Sequence, residues 1–327
     1  MADDQIRAVV VTANGGPEVL EVQWRPMPEL GPDQLLVEVA ASGVNFKDVY
    51  QRQGIYPVPI PFVLGEELAG RVLAVGQDVT DFAPGDVVAT ASGRGTHATV
   101  AVVDAAQAVP VPPAVSPEEA AAAMLHGMTA HYLVNSTFEV TSDTEVLIHA
   151  AAGGVGQLLV QLAKGKGAHV VATVGSAAKE QVAHAAGADA VLRYDEIDDL
   201  AAAVREASGG GVNVAYDGVG RATFDASLAS LRRRGLLALF GASSGPVPPF
   251  EIQRLNSGGS LFLTRPTLAH YTATRAELLW RAGDVLGAVA DGTLHVSIGG
   301  RYPLDRAADA YRDLEARRTT GKLLLIP

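Results

Sequence analysis

The chain has 327 residues, 48% of them apolar, and a mean hydropathy of +0.19, which is enough apolar material for two domain cores. It contains no cysteine, which excludes disulfides, a catalytic thiol and a cysteine-ligated zinc. The formal charge of −11 opposes binding to nucleic acid. No apolar run reaches membrane-spanning length and the first residues do not resemble a signal peptide, so we expect a cytoplasmic protein with no membrane partner.

Short β-rich segments alternate with glycine and proline turns over the first 120 residues. Strands are predicted at 8–12, 34–40, 68–75 and 87–89. This alternation of short strands and turns favours a compact, largely antiparallel, β-barrel-like domain. A helix predicted over 118–131 carries the chain into a second domain.

An apolar strand that starts at Val146 runs into a glycine turn and then into an amphipathic helix. The turn reads Ala151-x-Gly153-x-x-Gly156, so an alanine replaces the first of three usual glycines. Glycines let the backbone approach a pyrophosphate, and the first amides of the following helix point at it. The strand before the turn and the helix after it favour a dinucleotide site over a tight turn that binds no ligand.

The same alternation of strand and helix continues downstream of this turn. Further strands are predicted at 169–174, 190–194, 212–216 and 236–240, with helices at 177–186, 197–207 and 222–231. The arginine run 232–234 is interpreted as a solvated helix end. An apolar segment at 261–264 follows, then a predicted helix at 276–290, and a closing helix and strand at 305–327. The pattern predicts an α/β fold with a doubly wound parallel sheet and a ligand at the carboxyl ends of its strands.

The end of the second strand of this sheet indicates which coenzyme is bound. An NAD-preferring site has an Asp or Glu there to accept from the ribose hydroxyl. This chain has Gly175 and Ser176 instead, followed by Lys179, and Tyr194 can add a second hydroxyl. NADPH is therefore predicted, with a solvated helix lysine as the alternative interpretation of Lys179.

The segment 241–245 satisfies the Gly-x-Ser-x-Gly pattern of a hydrolase, with Ser243 at its centre. A nucleophile elbow leads directly into a helix, which Pro246, Pro248 and Pro249 prevent here. The hydrolase interpretation is therefore disfavoured.

Several motifs together resemble the zinc-free quinone oxidoreductases, the relatives of zeta-crystallin within the medium-chain dehydrogenase/reductase superfamily. The resemblance covers essentially the whole chain, and it extends to the Leu-Leu-Ile-Pro327 ending of the bacterial NADPH:quinone reductase branch. The motifs that carry it lie at 43–48, 65–70, 149–156, 173–175, 216–220, 240–245 and 264–266.

This resemblance implies a GroES-like catalytic domain, 1–123 and 267–327, into which a Rossmann NADPH-binding domain, 124–266, is inserted. Zinc-dependent members carry a Cys in place of Asn45 and Gly-His-Glu in place of residues 65–67, so no metal site is expected. The family also suggests a homodimer joined through the nucleotide domains, with residues 261–265 near the shared edge.

By similarity, Asn45, Tyr50 and Thr129 would line the nicotinamide and ribose, with Tyr56 nearer the substrate mouth. Tyr50 is the best candidate for an acid or hydrogen-bond donor. The alternative is a structural tyrosine whose hydroxyl is hydrogen-bonded within the wall of the barrel. Asn45 is the other predicted catalytic residue. The residues expected around NADPH, in addition to Asn45, Tyr50 and Thr129, are Gly153, Gly154, Val155, Gly175, Ser176, Lys179, Tyr194, Phe240, Ser243 and Arg317.

Three functions fit this set of residues. The first is NADPH-dependent reduction of quinones, in which the protein orients the hydride donor and polarises an acceptor oxygen. The second is NADPH-dependent reduction of activated C=C bonds in enones, alkenals or 2-enoyl thioesters. The third is a binding protein that uses NADPH only as a conformational ligand, because relatives are known as structural crystallins.

Overall fold

The computed structural model describes residues 5–327. The chain divides into two compact units, one formed by the residues up to Leu125 together with Thr274–Pro327, the other by His126–Ala273. Within the described residues, no helix combines the length and the apolar character that a membrane crossing requires.

Within residues 5–327 the strands are β1 (Gln5–Val11), β2 (Leu20–Pro26), β3 (Gln34–Val44), β4 (Phe62–Val63), β5 (Leu68–Val75), β6 (Val87–Thr90), β7 (Val100–Asp104), β8 (Val109–Pro110), β9 (Glu145–Ile148), β10 (His169–Val174), β11 (Ala190–Arg193), β12 (Val212–Asp217), β13 (Leu231–Leu239), β14 (Phe262–Thr264), β15 (Ile298–Pro303) and β16 (Lys322–Ile326). The α-helices are α1 (Phe46–Arg52), α2 (Pro117–Tyr132), α3 (Gly154–Gly165), α4 (Ala177–Ala185), α5 (Leu200–Ala207), α6 (Phe224–Ser230), α7 (Gln253–Ser257), α8 (Leu268–Tyr271), α9 (Arg275–Ala290) and α10 (Ala307–Glu315).

The first unit contains two sheets. A seven-stranded sheet has the order β15-β16-β3-β5-β6-β8, with β7 also paired to β3, and a three-stranded sheet has the order β2-β1-β4. Apart from the parallel pair β15–β16, neighbouring strands are antiparallel. The alternate residues Leu35, Val37 and Val39 of β3 point into one core, which explains the apolar alternation of this segment.

The second unit is built on a six-stranded parallel sheet with the order β11-β10-β9-β12-β13-β14. The predicted doubly wound sheet is confirmed. The order reverses between β9 and β12, and in such sheets a ligand binds beyond the carboxyl ends of the strands at this reversal. Val146, Leu147 and Ile148 are completely buried, as expected for a central strand covered on both faces.

Some predicted elements are wrong in position or type. The arginine run 232–234, interpreted as a helix end, lies in β13, which begins directly after the short helix α6. The pairing of β13 with β12 shifts register between Val212 and Val214, and Arg234 has a left-handed φ of 61°. The arginines therefore lie in an irregular segment near the start of β13. Helix α5 begins at Leu200 rather than at 197, because Asp199 caps it by accepting from the Ala202 amide.

Candidate active site

The glycine turn connects β9 to helix α3 in the second unit. Gly153 is the N-cap of α3 in an extended conformation, and no side chain caps the helix. A Cβ at Gly156 would overlap the Ala150 carbonyl oxygen and lie 2.7 Å from the Ala151 Cα, so this glycine is required by the protein's own packing. A Cβ at Gly153 would meet only the Ala150 oxygen, at 3.1 Å. Apart from this one close contact, no other atom is found within 4 Å of that Cβ position, so the turn leaves room beside Gly153, and the uncapped amides at the start of α3 can bind an anion.

A second loop follows β10 and contains the residues predicted to distinguish NADPH from NADH. Ser176 is the N-cap of α4, and Lys179 lies in the first turn of that helix. A Cβ at Gly175 would overlap the Tyr194 hydroxyl and lie 2.8 Å from its Cζ, so the phenol rests against the glycine backbone. The structure thus brings these four residues together, and residues 175–179 contain no carboxylate.

A third loop follows β12 and is held against the loop after β13. The Asp217 carboxylate accepts from the amides of Val219 and Gly220, at 2.8 and 3.0 Å. A Cβ at Gly218 would lie 2.9 Å from Cζ of Phe240, and the Ser243 amide donates to the Gly218 carbonyl. Phe240 and Ser243 therefore both contact the loop after β12 at Gly218.

The Gly-x-Ser-x-Gly segment at 241–245 lies against this third loop. The chain from 240 to 251 contains no helix, so Ser243 does not stand at a strand-to-helix elbow. This agrees with the argument against a hydrolase.

A buried polar cluster lies beneath the third loop. His149 contacts the Thr173 hydroxyl at 2.7 Å and the Ser227 hydroxyl at 2.8 Å, and Ser227 donates to Asp217 at 2.8 Å. Burial lowers the pKa of His149, against the opposing effect of Asp217, so the imidazole is neutral at pH 7. All four side chains are at most 1% exposed, so they position the loops rather than touch a substrate.

In the first unit, Tyr50, predicted to line the nicotinamide, lies on helix α1, and Tyr56, predicted nearer the substrate mouth, follows shortly after this helix. The rings of Tyr50 and Tyr56 pack edge to face with centroids 5.4 Å apart. The Tyr56 amide donates to the Tyr50 carbonyl, and the Tyr56 side chain is exposed. The structure therefore brings the two phenols together.

Asn45, which immediately precedes α1, is buried in a polar group that we name the Lys322 cluster: Asn45, Glu67 and Lys322. The Asn45 amide nitrogen donates to the Gly43 carbonyl and to Glu67 Oε2, at 3.1 and 3.0 Å. Its oxygen accepts from Lys322 Nζ at 2.6 Å. Both amide hydrogens are thus engaged within the protein.

Sequence reasoning missed Glu67 and Lys322 as parts of the site. The available signal was a single lysine at the start of the apolar strand β16, because a buried lysine requires an acidic partner. Glu66, the preceding residue, pairs with Lys47 at 2.5 Å and accepts from Gln51 at 2.7 Å.

Thr129 and Arg317 lie outside these groups. Thr129 is buried on α2 and belongs to the second unit. Arg317 belongs to the first unit and follows α10 with a left-handed φ of 55°. Within residues 5–327, no three His, Cys, Asp or Glu side chains are close enough to hold a metal ion together.

Comparison with known proteins identifies both units. Residues 31–113 match the alcohol dehydrogenase GroES-like domain, and residues 154–277 match the zinc-binding dehydrogenase domain. The prediction of a GroES-like domain with a Rossmann-type domain is confirmed.

Three proteins illustrate the similarity. Quinone oxidoreductase 1 of Escherichia coli is 43% identical over 320 residues, which cover 96% of this chain and 97% of that protein. The 2-haloacrylate reductase of a Burkholderia species is 38% identical, covering 98% and 99%. The mycobacterial protein Rv1454c, solved in complex with NADPH, is 49% identical with a TM-score of 0.96, covering 98% of this chain and 100% of that one. This chain belongs to the quinone oxidoreductase family of the medium-chain dehydrogenases/reductases.

Proposed function

We propose that this protein is an enzyme that reduces quinones with NADPH and uses no metal ion. The observation that carries the proposal is the glycine turn, where an uncapped helix N-terminus faces open space beside Gly153. The similarity to Escherichia coli quinone oxidoreductase 1, and to a mycobacterial protein solved with NADPH, supports the same conclusion.

The residues present fit NADPH better than NADH. Gly153, Gly154 and Val155 would hold the pyrophosphate with backbone amides. Ser176 and Lys179 would bind the 2′-phosphate, since no carboxylate at 175–179 opposes it. The remaining residues proposed around the cofactor are Tyr194, Phe240, Ser243, Thr129 and Arg317.

When bound, NADPH supplies the hydride. The protein's own residues orient the two reactants, exclude water and stabilise the charge that develops on the acceptor oxygen. We assign the hydrogen-bond donor role to the Tyr50 hydroxyl, because a phenol polarises a carbonyl without carrying charge. Tyr56, which packs against Tyr50, lines the entrance for the acceptor. Asn45 acts by holding neighbouring groups in place rather than by donating to the acceptor, because both of its amide hydrogens are already bonded to Gly43 and Glu67.

Parallel steady-state assays test this function. NADPH oxidation by the purified protein is followed with a naphthoquinone, phenanthrenequinone, an alkenal and crotonyl thioester as acceptors. We expect turnover with the quinones and a much lower KM for NADPH than for NADH. NADPH that binds but is oxidised by no acceptor would contradict an enzyme and favour a binding protein.

Reduction of activated C=C bonds is the second candidate function. It is favoured by the 38% identity to a 2-haloacrylate reductase, whose name describes a conjugated substrate. The same hydride geometry serves conjugate addition to an enone. In the parallel assay, a higher kcat/KM for the alkenal or the thioester than for either quinone would select it.

We also propose a cytoplasmic homodimer joined along β14. This strand is the edge of the parallel sheet, and Phe262 on it is 60% exposed. Replacing Phe262 by Lys should shift the mass measured by light scattering from dimer to monomer. A wild-type protein that is monomeric at all concentrations would contradict the dimer, and cell fractionation tests the location.

A further inference from the structure

The Lys322 cluster contains a fully buried ion pair, Lys322–Glu67, in the first unit. Lys322 is 1% exposed and Glu67 is 0% exposed, and their charged atoms lie 2.5 Å apart. Removing two charges from water is costly, and the cost is offset only when the geometry is good and every other polar atom has a partner. Buried ion pairs usually add little stability compared with apolar side chains of the same size. We therefore ask whether this pair holds the neighbouring side chains in one specific arrangement.

The cluster ties together segments that are far apart in sequence. Lys322 opens strand β16, Asn45 precedes helix α1, and Glu67 precedes strand β5. Glu67 Oε1 also accepts from the Leu125 amide on α2, at 2.5 Å. A Cβ at Gly43 would lie 2.7 Å from the Glu67 carboxyl carbon and 2.8 Å from Lys322 Cε, so the glycine makes room for the pair.

Asn45 is also bonded to helix α1. Its side-chain oxygen accepts from Lys322, which determines that the amide nitrogen faces Gly43 and Glu67. Its backbone amide donates to Asp48 within the first turn of α1, at 2.8 Å. Tyr50 lies on the same helix, and its ring packs near Phe46 in the first turn, with centroids 6.5 Å apart.

We propose that Lys322 is a positioning residue for the reaction: its ammonium fixes the Asn45 side chain and thereby the start of the helix that carries Tyr50. The Lys322 ammonium compensates the charge of the Glu67 carboxylate in this part of the protein. The inference rests on the proposed function, since Tyr50 is the assigned hydrogen-bond donor.

Lys322→Ala with chemical rescue tests the role. The substitution removes a propylammonium group, so added propylammonium can restore the lost cation, whereas propanol fills the same space without charge. We expect kcat with a quinone to fall at least about tenfold, the effect of losing a charge-assisted hydrogen bond that holds a reacting group. The Kd for NADPH should stay unchanged, and propylammonium alone should restore kcat.

Lys164→Ala is the matched control, because Lys164 forms a partly exposed ion pair with Asp189 within the second unit and is not among the residues assigned to the site. It should leave kcat unchanged. An unchanged kcat in Lys322→Ala, or a loss that propanol repairs as well or that propylammonium does not repair, would overturn the proposal. Inactivity of the wild-type protein with every quinone would instead contradict the proposed function.

A second variant is needed if Lys322→Ala does not fold. The double variant Lys322→Met, Glu67→Gln removes both charges, so no uncompensated charge stays buried. We expect it to fold with native circular dichroism and to lose kcat by about tenfold, because Asn45 has lost its cationic donor. A folded double variant with wild-type kcat overturns the proposal, and failure of both variants to fold assigns Lys322 to folding alone.

Discussion

Gly153→Val should abolish tight binding of NADPH while the protein stays folded. In the protein alone, a Cβ at this position meets only one atom within 4 Å, the Ala150 carbonyl oxygen, at 3.1 Å. The backbone conformation, with a φ of −76°, is accessible to valine. The added branches would enter the space that we assign to the pyrophosphate.

The expected loss of NADPH affinity follows from the hydrogen bonds that the valine side chain would prevent. Loss of two bonds from helix amides to a charged phosphate costs about 3 kcal/mol or more. This corresponds to a Kd raised by roughly a hundredfold. The free energy of unfolding should change by no more than about 1 kcal/mol, the usual cost of a poor N-cap residue.

Gly156→Val is the matched control within the same turn. Its Cβ would overlap the Ala150 oxygen and the Ala151 backbone, so α3 itself must move. We expect this variant to lose about 1–3 kcal/mol of stability through overpacking, whether or not cofactor is present. The pair thus separates a glycine required for the ligand from one required for the fold.

The assay is calorimetric titration with NADPH, accompanied by thermal unfolding of each variant. The reasoning is refuted if Gly153→Val binds NADPH with wild-type affinity. It is also refuted if Gly153→Val unfolds as readily as Gly156→Val, since the space in front of the turn would then not be open.

Three other predictions concern the coenzyme, the acceptor and pH. Lys179→Ala should raise the KM for NADPH by about tenfold and leave that for NADH unchanged; equal effects on both would contradict the 2′-phosphate assignment. Tyr50→Phe should lower kcat with quinones by about a hundredfold, with a much smaller effect on the Kd for NADPH, and an unaltered kcat would remove Tyr50 from the reaction. Burial lowers the pKa of His149, so below about pH 6.5 the unfolded chain gains a proton that the folded protein excludes. The free energy of unfolding should therefore decrease as the pH falls below about 6.5, because His149 opposes folding once it is protonated in the unfolded chain. Urea titrations at several pH values test this: if the stability of His149→Gln depends on pH as steeply as that of the wild type, His149 is not the cause.

The sequence was sufficient for the parts of the fold that depend on local pattern. Alternation of apolar strands with helices predicted the parallel sheet, and glycine spacing located the turn before α3, because both depend on neighbouring residues. The absence of a carboxylate at Gly175 and Ser176, from which NADPH was predicted, could likewise be read from the sequence alone. These features located the first two loops of the second unit, whereas Phe240 and Ser243, which contact the third loop, were assigned to the cofactor only through the family resemblance.

Other parts depend on contacts between distant segments. Strand β15 was not predicted, since Gly299 and Gly300 weaken its pattern and its pairing comes from β16. Asn45 was named as a site residue through the family resemblance, but its partner Lys322 lies 277 positions away. A local pattern cannot reveal a pair of this kind, and only the folded chain shows that the amide of Asn45 is already engaged.

The central claim is that NADPH bound at the glycine turn reduces the acceptor without the aid of a metal ion. NADPH oxidation with phenanthrenequinone, measured on protein stripped with chelator and examined by elemental analysis, tests it most directly. We predict an undiminished kcat with no stoichiometric transition metal. Loss of turnover on stripping, restored by added zinc, would contradict the account.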